Sequence, residues 1–322
     1  MATTALDEAW EAGIQALGSQ LTMTKKLITG VYAAVVTPRG ADGSVDEVSF
    51  GNWLGFLMER GIRGFAINGA TGEFCLTTKD ELRAILAVAA EVTRGRAEYL
   101  CGIGSAGIQG AIENGLLAIE GGAKGLLMPM PYFFRYSQDD LEAFCRQTAG
   151  ELPASILLYN LPQFASGLEP QTALRLIREV PNVVGIKDSS GSLDILRVLS
   201  EPGIEACRIV GNDSALVAAI GERVCDGVVS GVASVLPELI LSVFESGQSS
   251  DSDTFRQGDR LLNEFIAAID AFPTPWALKW IAEARGIAAA TFAQPVSRDR
   301  ASQAVKLQEW FRRWEAAVPA KV

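Results

Sequence analysis

The sequence predicts an α/β fold, a (β/α)8 TIM barrel with a C-terminal helical extension, from three observations. Short apolar segments rich in β-branched residues recur about every 20 to 35 residues along the chain. Amphipathic stretches of helical period separate them, an alternation typical of a parallel sheet. Eight such units match the count of a closed barrel. A doubly wound open sheet is the alternative, but it usually has fewer strands and leaves the last two segments unexplained.

The predicted strands share a short apolar core flanked by turn residues. They are Ile28–Pro38, Gly64–Ala70, Tyr99–Gly104, Gly125–Pro131, Ser155–Pro162, Val183–Ser189, Arg208–Asp213 and Gly227–Ser234. Among the helices predicted between them, the clearest covers Thr78–Arg94 and has its apolar residues on one side. Thr78 and Glu81 have the spacing of a capping box, which predicts the start of that helix.

Two segments lie outside the predicted barrel. The regions are an N-terminal helical extension (1–26), the barrel (27–246) and a C-terminal helical region (247–322). Residues 1–22 have the pattern of one polar amphipathic helix that leads to Met23, a second candidate for the start of the protein. Three periodic segments follow the polar stretch Gln248–Asp253. Pro273 and Pro275 predict the start of the middle one, since proline is tolerated in a first helical turn.

Composition excludes several classes of partner and places the protein in the cytosol. With 38 acidic and 28 basic residues the net charge is −10, a poor match for nucleic acid or an anionic membrane. No apolar run approaches the roughly 20 residues that span a bilayer. The five cysteines are widely spaced and never form C-x-x-C, which favours a reducing compartment. The N-terminus is acidic where a targeting peptide would be basic.

The chain contains no histidine. This absence excludes Ser-His-Asp triads, Cys-His nucleophiles and histidine-containing zinc sites together. Catalysis must therefore use lysine, tyrosine, carboxylates, hydroxyls or thiols. Cys75 has no histidine to act as its base, so we interpret it as a packing residue. The sequence shows no metal-binding cluster.

Three motifs lie at the predicted carboxyl ends of strands, where barrel enzymes place their active sites. They are Asn68–Glu73 after strand 2, Tyr159–Pro162 after strand 5 and Gly185–Gly191 after strand 6. Each motif is of moderate specificity alone. Their coincidence at one end of the barrel predicts a single catalytic cavity there.

Lys187 lies near the end of a predicted strand that is apolar on both faces. Alternation places it with Val183 and Gly185 on the face that we assign to the barrel interior. Burial disfavours a charged ammonium, and a neutral amine can form a Schiff base with a carbonyl. A structural lysine paired with Asp188 or Asp213 at the barrel mouth is an alternative that the position leaves open. An exposed lysine is a third.

Two neighbouring motifs add groups that suit this chemistry. Tyr159 ends the adjacent strand, so its phenol could reach the same cavity and transfer protons, although a core aromatic at the barrel rim is the alternative. The small residues around Ala70 and Thr71 allow close approach of the backbone, and their amides with the Thr71 hydroxyl could bind a carboxylate. An ordinary glycine-rich turn is the alternative for this segment.

Gly102-Ile-Gly104-Ser-Ala-Gly107 matches the G-x-G-x-x-G pattern of dinucleotide sites. The next predicted strand ends at Pro131 without the acidic residue that would bind a ribose hydroxyl. We therefore interpret the segment as a tight turn between a strand and a helix. A Walker motif is also absent from the sequence.

The three motifs, in this order, resemble those of the N-acetylneuraminate lyase/dihydrodipicolinate synthase superfamily of class I aldolases. The similarity runs from about Ile28 through the C-terminal helices and includes three shorter matches. These are Thr37-Pro38 ending strand 1, Pro131-Tyr132 after strand 4, and Pro-Thr-Pro-x-x-x-Lys279 at the start of a C-terminal helix.

The resemblance implies a role for each group. Lys187 would form an imine with the 2-oxo carbon of pyruvate, and Tyr159 would be the proton shuttle. Ala70 and Thr71 would bind the carboxylate. Gly211 and Val229 would line the site, completing a set that needs no metal or organic cofactor. The resemblance also implies a homotetramer built from two dimers.

Departures from the dihydrodipicolinate synthase pattern concern the substrate. Those synthases commonly have a threonine where this chain has Ala70, and a partner subunit supplies a tyrosine where this chain has Phe133. Their arginine after strand 5 is also absent, since this chain has Gln163–Ser166 there. The segment from Tyr132 to Arg135 looks more like that of sugar-acid aldolases. Tyr132, Phe133 and Arg135 are therefore substrate-binding candidates, although a solvated loop is the alternative for Arg135.

The first functional hypothesis is reversible cleavage of a 2-oxo-3-deoxy sugar acid, or a related 4-hydroxy-2-oxo acid, to pyruvate and an aldehyde. The second is a dihydrodipicolinate synthase with an altered proton relay. A dehydratase that uses the same imine is the third. A non-catalytic binder is the fourth, and the presence of both Lys187 and Tyr159 argues against it.

Overall fold

The computed structural model describes residues 28–249 and 251–318, and within them eight parallel strands close into a barrel in sequential order. The strands are β1 (Gly30–Ala34), β2 (Gly64–Ile67), β3 (Glu98–Gly102), β4 (Gly125–Pro129), β5 (Ile156–Asn160), β6 (Val183–Asp188), β7 (Cys207–Val210) and β8 (Gly227–Ser230). The predicted TIM barrel is confirmed, and the open-sheet alternative is wrong because β8 pairs with β1. The predicted N-terminal helix lies outside the described residues.

Helices follow the strands and cover the outside of the barrel. They are α1 (Glu47–Glu59), α2 (Lys79–Thr93), α3 (Ile108–Glu120), α4 (Gln138–Gly150), α5 (Pro170–Glu179), α6 (Asp194–Val198), α7 (Leu216–Gly221) and α8 (Pro237–Gln248). Three more complete the described chain: α9 (Ser252–Ile269), α10 (Thr274–Ala284) and α11 (Arg298–Ala317). None of the helices in this part of the chain combines the length and apolar character needed to cross a bilayer.

Two predicted helix starts are confirmed. The Thr78 side chain accepts from the Glu81 amide, and the Glu81 carboxylate accepts from the Thr78 amide, which makes the predicted capping box. In α10, Pro275 occupies the first turn, where backbone amides have no partner within the helix, so the missing amide hydrogen of proline costs no hydrogen bond. The helix that carries Lys279 therefore begins at the predicted position.

Side chains inside the barrel form a core separate from the layer between strands and helices. Interior residues on successive strands include Leu100, Leu127 and Leu157, all fully buried. At the amino-terminal end the Tyr32 hydroxyl donates to Glu98 within this core. Burial, together with this bond, raises the pKa of Tyr32. These side chains fill the amino-terminal half of the barrel interior among the described residues, and active sites of such barrels lie at the opposite end, at the carboxyl ends of the strands.

The pairing of β5 with β6 contains an irregularity that corrects one prediction. Ile156 pairs with Val183, whereas Leu157 pairs with Gly185, so one residue of β6 is inserted at this point. Val183 consequently packs in the outer layer, and Val184 packs inside the barrel. The predicted position of Val183 on the same face as Lys187 is therefore wrong. Beyond the bulge, Tyr159 and Lys187 are paired neighbours.

Candidate active site

One cavity of about 690 Å³ opens at the carboxyl ends of the strands. It brings together seven of the nine residues that the sequence singled out: Ala70, Thr71, Tyr132, Tyr159, Lys187, Gly211 and Val229. Phe133 and Arg135 lie outside its wall. The loops after the strands supply one side of the cavity, and α9, α10 and the turn between them supply the other. The contribution of this C-terminal region was not predicted.

Lys187 lies on the cavity wall with only 3% of its surface exposed. It is flanked by Tyr159 on β5 and Ile209 on β7. Its Nζ atom lies 3.9 Å from the centroid of the Tyr159 ring. Within residues 28–249 and 251–318, no carboxylate oxygen forms an ion pair with this amine. The arrangement leaves a buried primary amine in contact with a phenol and open to a ligand.

Gly211 gives the Lys187 side chain its path to the cavity. A methyl group at this position would lie 2.8 Å from Cε of Lys187 and 2.2 Å from Oγ of Ser189. Both distances are shorter than a van der Waals contact, so any larger residue must displace the lysine. The glycine after β7 is therefore required by the Lys187 side chain of β6.

Replacing Gly211 with alanine is expected to slow imine formation on Lys187 about tenfold, since overpacking by one methyl commonly costs about 1–3 kcal/mol. The measurement is the rate at which borohydride traps pyruvate on the protein, read by intact mass. Gly221→Ala is the matched control, because nothing lies within 4 Å of a methyl group at Gly221. Equal trapping rates in the two variants would show that the space beside Lys187 does not matter.

The loop after β2 is held by bonds that shape the backbone around Thr71. The Thr37 hydroxyl donates to the Gly72 carbonyl at 2.8 Å, and the Asn68 side chain donates to the Gly102 carbonyl at 2.8 Å. A methyl group at Gly102 would lie 2.0 Å from the Asn68 carbonyl oxygen. The first glycine of the G-x-G-x-x-G segment therefore serves this close approach. This steric role agrees with the interpretation of the segment as a tight turn.

Asp188 fixes the loop after β5 instead of pairing with Lys187. One of its oxygens accepts from the Asn160 side chain and from the Ser190 amide, each at 2.9 Å. Asn160 in turn accepts from the Leu168 amide at 3.0 Å. Burial raises the pKa of Asp188. The carboxyl group therefore joins the ends of β5 and β6, which carry Tyr159 and Lys187.

Asp213 lines the cavity after β7. One of its oxygens accepts from the amides of Gly231 at 3.1 Å and Val232 at 3.2 Å. Burial raises the pKa of Asp213, and the nearby Lys187 amine opposes that shift. The sequence pointed to Asp213 only as a possible ion-pair partner of Lys187. Its bonds show that it joins the loops after β7 and β8.

A buried ion pair connects the cavity to α10. The Lys279 ammonium lies 2.5 Å from a Glu73 carboxylate oxygen, and the two side chains are 1% and 6% exposed. Burial lowers the pKa of Lys279, and the Glu73 carboxylate opposes that shift. Glu73 lines the cavity from the loop after β2. Both residues belong to motifs that are visible in the sequence, but nothing in the sequence indicates that they pair.

Phe133 and Arg135 are exposed on the loop after β4. Phe133 is 86% exposed and has a backbone φ of 86°, and its ring packs edge-on against Phe134 at 5.0 Å. A positive φ is uncommon for a bulky residue, so the surrounding loop must hold this conformation. The substrate-binding roles of Phe133 and Arg135 stay predictions. Tyr132, by contrast, lines the cavity and packs edge-on against Phe74.

Comparison with known proteins places these features in context. The Dihydrodipicolinate synthetase family matches residues 27–311 of the chain. A 4-hydroxy-tetrahydrodipicolinate synthase of Salinibacter ruber is 31% identical over 231 residues, which cover 71% of this chain and 76% of the relative. A protein of the same name from Sorangium cellulosum is 29% identical over 296 residues, covering 91% and 98%.

The structure is also similar to solved structures. Dihydrodipicolinate synthase from Aquifex aeolicus superposes with a TM-score of 0.83 at 23% identity, covering 89% of this chain and 98% of that one. N-acetylneuraminate lyase from Mycoplasma synoviae superposes with a TM-score of 0.79 at 22% identity, covering 89% and 97%. At these identities the likeness concerns the fold. The two differently named proteins share it.

Proposed function

Because the chain belongs to the Dihydrodipicolinate synthetase family and is a pyruvate-type lyase, we propose that it cleaves a 2-oxo-3-deoxy sugar acid, or a related 4-hydroxy-2-oxo acid, reversibly to pyruvate and an aldehyde. The observation that carries this proposal is the buried amine of Lys187, which contacts Tyr159 at the cavity wall. Such an amine suits imine formation with a 2-oxo acid. The reaction then needs no metal or organic cofactor.

The first step joins the substrate to the protein. The Lys187 amine attacks the 2-oxo carbon, and loss of water from the carbinolamine gives the imine. Tyr159 transfers the protons between nitrogen and the departing oxygen. The amides of Ala70 and Thr71, with the Thr71 hydroxyl, bind the adjacent carboxylate. These groups line one cavity, which supports their assignment to one substrate.

The second step breaks the carbon–carbon bond. The 4-hydroxyl of the bound acid loses its proton, the bond between C3 and C4 breaks, and the electron pair moves into the enamine while the aldehyde leaves. A proton then adds to C3, and water hydrolyses the imine to release pyruvate. We assign the exchange of these protons to Tyr159, and the contact of its ring with the Lys187 amine supports this assignment. The imine nitrogen accepts the electrons, so the protein supplies its own electron sink.

Borohydride trapping tests the proposal directly. Incubation with pyruvate and borohydride, followed by intact mass and peptide mapping, is expected to give a single adduct on Lys187. Other 2-oxo acids serve as comparison ligands. A folded protein that forms no adduct with any of them would overturn the imine mechanism and favour a non-catalytic binder.

Replacing Tyr159 with phenylalanine is expected to slow deuterium exchange at C3 of pyruvate about 10²- to 10⁴-fold, the range for loss of a general acid–base group. Exchange requires the enamine and needs no knowledge of the aldehyde, so NMR in D₂O measures it with pyruvate alone. Tyr136→Phe is the control, since Tyr136 does not line the cavity. Unchanged exchange in Tyr159→Phe would remove the phenol from the mechanism.

The names of the relatives support a second candidate function. Proteins about 30% identical to this chain are named 4-hydroxy-tetrahydrodipicolinate synthase, and such an enzyme would condense pyruvate with aspartate semialdehyde. Ala70, Phe133 and Gln163 depart from the synthase pattern and favour the first candidate. Condensation with aspartate semialdehyde separates the two. A dehydratase using the same imine would instead release water from a sugar acid without cleaving it.

The proposal also includes an oligomeric state and a cellular location. We propose a homotetramer of two dimers, and the rings of Phe133, Phe134 and Phe164, which are 86%, 65% and 72% exposed in a single chain, are candidates for its interfaces. All five cysteines are free, and we propose a location in the cytosol, where thiols stay reduced. Light scattering of the purified chain measures the assembly.

A further inference from the structure

The charges around the cavity are unfavourable for an aldehyde that carries its own carboxylate. Among the lining residues that the structure describes, Lys187 is the one basic side chain, and the proposed mechanism uses it for the imine. Glu73, Asp213 and Asp270 contribute carboxyl groups to the lining of the same cavity. The ammonium of Lys279 is nearby but is already bound by Glu73. A second substrate carboxylate would lose water without gaining a cation, which is costly.

The wall opposite the strand loops is apolar and aromatic. Phe272, in the turn between α9 and α10, and Trp276, in α10, line the cavity. Their rings are supported from behind, because Phe272 lies 5.5 Å from Trp280, and Trp276 lies 5.1 Å from Phe292. Ring pairs at these distances stabilise one another and hold the wall in place. The Lys279 ion pair further fixes α10, which carries Trp276.

The size of the cavity exceeds what pyruvate requires. Its volume of about 690 Å³ falls in the range of about 300–1,000 Å³ that encloses drug-sized ligands. A three-carbon acid bound at Lys187 fills a small part of this space. The remainder borders the aromatic wall and is therefore available to the aldehyde partner.

From the charges, the aromatic wall and the volume, we infer that the aldehyde partner is a neutral molecule with an aromatic or branched apolar body that packs against Phe272 and Trp276, and that anionic aldehydes are rejected. This inference rests on the proposed function. It selects, among the acids named there, a 4-hydroxy-2-oxo acid with an apolar group on C4.

In the direction of synthesis, the reaction joins the pyruvate enamine to the aldehyde. C3 of the enamine attacks the aldehyde carbon and forms the new carbon–carbon bond. The carbonyl electron pair moves to the aldehyde oxygen, which takes up a proton and becomes the 4-hydroxyl. Water then hydrolyses the imine, regenerates the Lys187 amine and releases the product. No oxidant or reductant takes part.

A matched pair of aldehydes tests the inference on the unaltered protein. Benzaldehyde and 4-carboxybenzaldehyde share a ring, and only the second is anionic at neutral pH. Glyceraldehyde, neutral but hydroxylated, is the third substrate, and all three are assayed with pyruvate by mass detection of the product. We expect kcat/KM for benzaldehyde to exceed each of the other values at least about tenfold.

A charge substitution provides the second test. Asp270 is exposed at the end of α9 and lines the cavity, so Asp270→Lys introduces a cation that a distal carboxylate can use. We expect kcat/KM for 4-carboxybenzaldehyde to rise about tenfold in this variant. Asp253→Lys makes the same charge change in the first turn of α9, away from the cavity lining, and is expected to match the wild-type preference.

The pyruvate adduct separates failure of the inference from failure of the proposed function. If the adduct forms on Lys187 and 4-carboxybenzaldehyde reacts as well as benzaldehyde, rejection of anionic aldehydes is wrong. If glyceraldehyde reacts best, the inference that the aldehyde carries an apolar body is wrong, and a 2-oxo-3-deoxy sugar acid remains the proposed substrate. An adduct without turnover of any neutral apolar aldehyde also overturns the inference. If no adduct forms, the proposed function fails and the inference fails with it.

Discussion

Replacing Lys187 with alanine is expected to abolish the pyruvate adduct and to slow deuterium exchange at C3 of pyruvate at least about 10³-fold, equivalent to about 4 kcal/mol of transition-state stabilisation. The amine is the nucleophile in the proposed mechanism, and no other lysine of the described chain lines the cavity. Borohydride trapping with intact mass measures the adduct, and NMR measures the exchange.

Two controls accompany this variant. Lys124→Ala removes an exposed lysine outside the cavity and is expected to trap pyruvate like the wild type. Lys187→Met keeps an unbranched side chain of similar length without the amine. It therefore shows whether the effects of Lys187→Ala come from loss of the amine or from the space left by the side chain. Thermal melting establishes that each variant is folded. An adduct that persists in Lys187→Ala would move the nucleophile to another residue and refute the assignment.

Replacing Lys279 with methionine is expected to destabilise the protein by about 3–5 kcal/mol, the usual effect of leaving one member of a buried ion pair alone. Glu73 would remain as a carboxylate that is only 6% exposed and has lost its partner. Urea denaturation followed by circular dichroism measures the free energy of unfolding. Since α10 forms part of the cavity, we also expect weaker protection of this helix against hydrogen exchange.

The double variant Glu73→Leu/Lys279→Met removes both charges and is expected to recover most of the lost stability, because apolar residues can replace a buried pair. Lys79→Met is the matched single control. Lys79 pairs with Glu113 at the surface, where the lysine is 51% exposed, so its loss should change stability by less than about 1 kcal/mol. Equal losses for Lys79→Met and Lys279→Met would show that burial does not govern the effect.

The fold could be predicted because each barrel unit carries its own local signal. The apolar segments located all eight strands, and the Thr78 capping box located the start of α2. Strand ends were less predictable. The segment that ends at Ser234 continues past β8 into a short 3-10 turn, because a buried turn needs apolar residues just as a strand does.

The parts of the site that could not be predicted depend on tertiary contacts. Glu73 and Lys279 are 206 residues apart, and nothing local to either residue encodes their pairing. The bulge before Lys187 moves Val183 to the outer layer, and its one local sign is Gly185, which follows the inserted residue and does not by itself identify a bulge. Trp276 has the pattern of an ordinary helical core residue, so its place on the cavity wall follows only from how α10 docks on the barrel.

Because α10 docks on the barrel, two separate parts of the chain line the cavity, the barrel strands and this helix. Lys187 and Tyr159 belong to barrel strands, whereas Trp276 belongs to a helix that joins the barrel through the Glu73 ion pair. If the proposed roles of these residues hold, mutations in the helix are expected to change which aldehydes bind while Lys187 and Tyr159 stay in place. For laboratory evolution this makes α10 a separable module, and a library confined to its cavity-facing positions explores new aldehydes without disturbing bond-making chemistry.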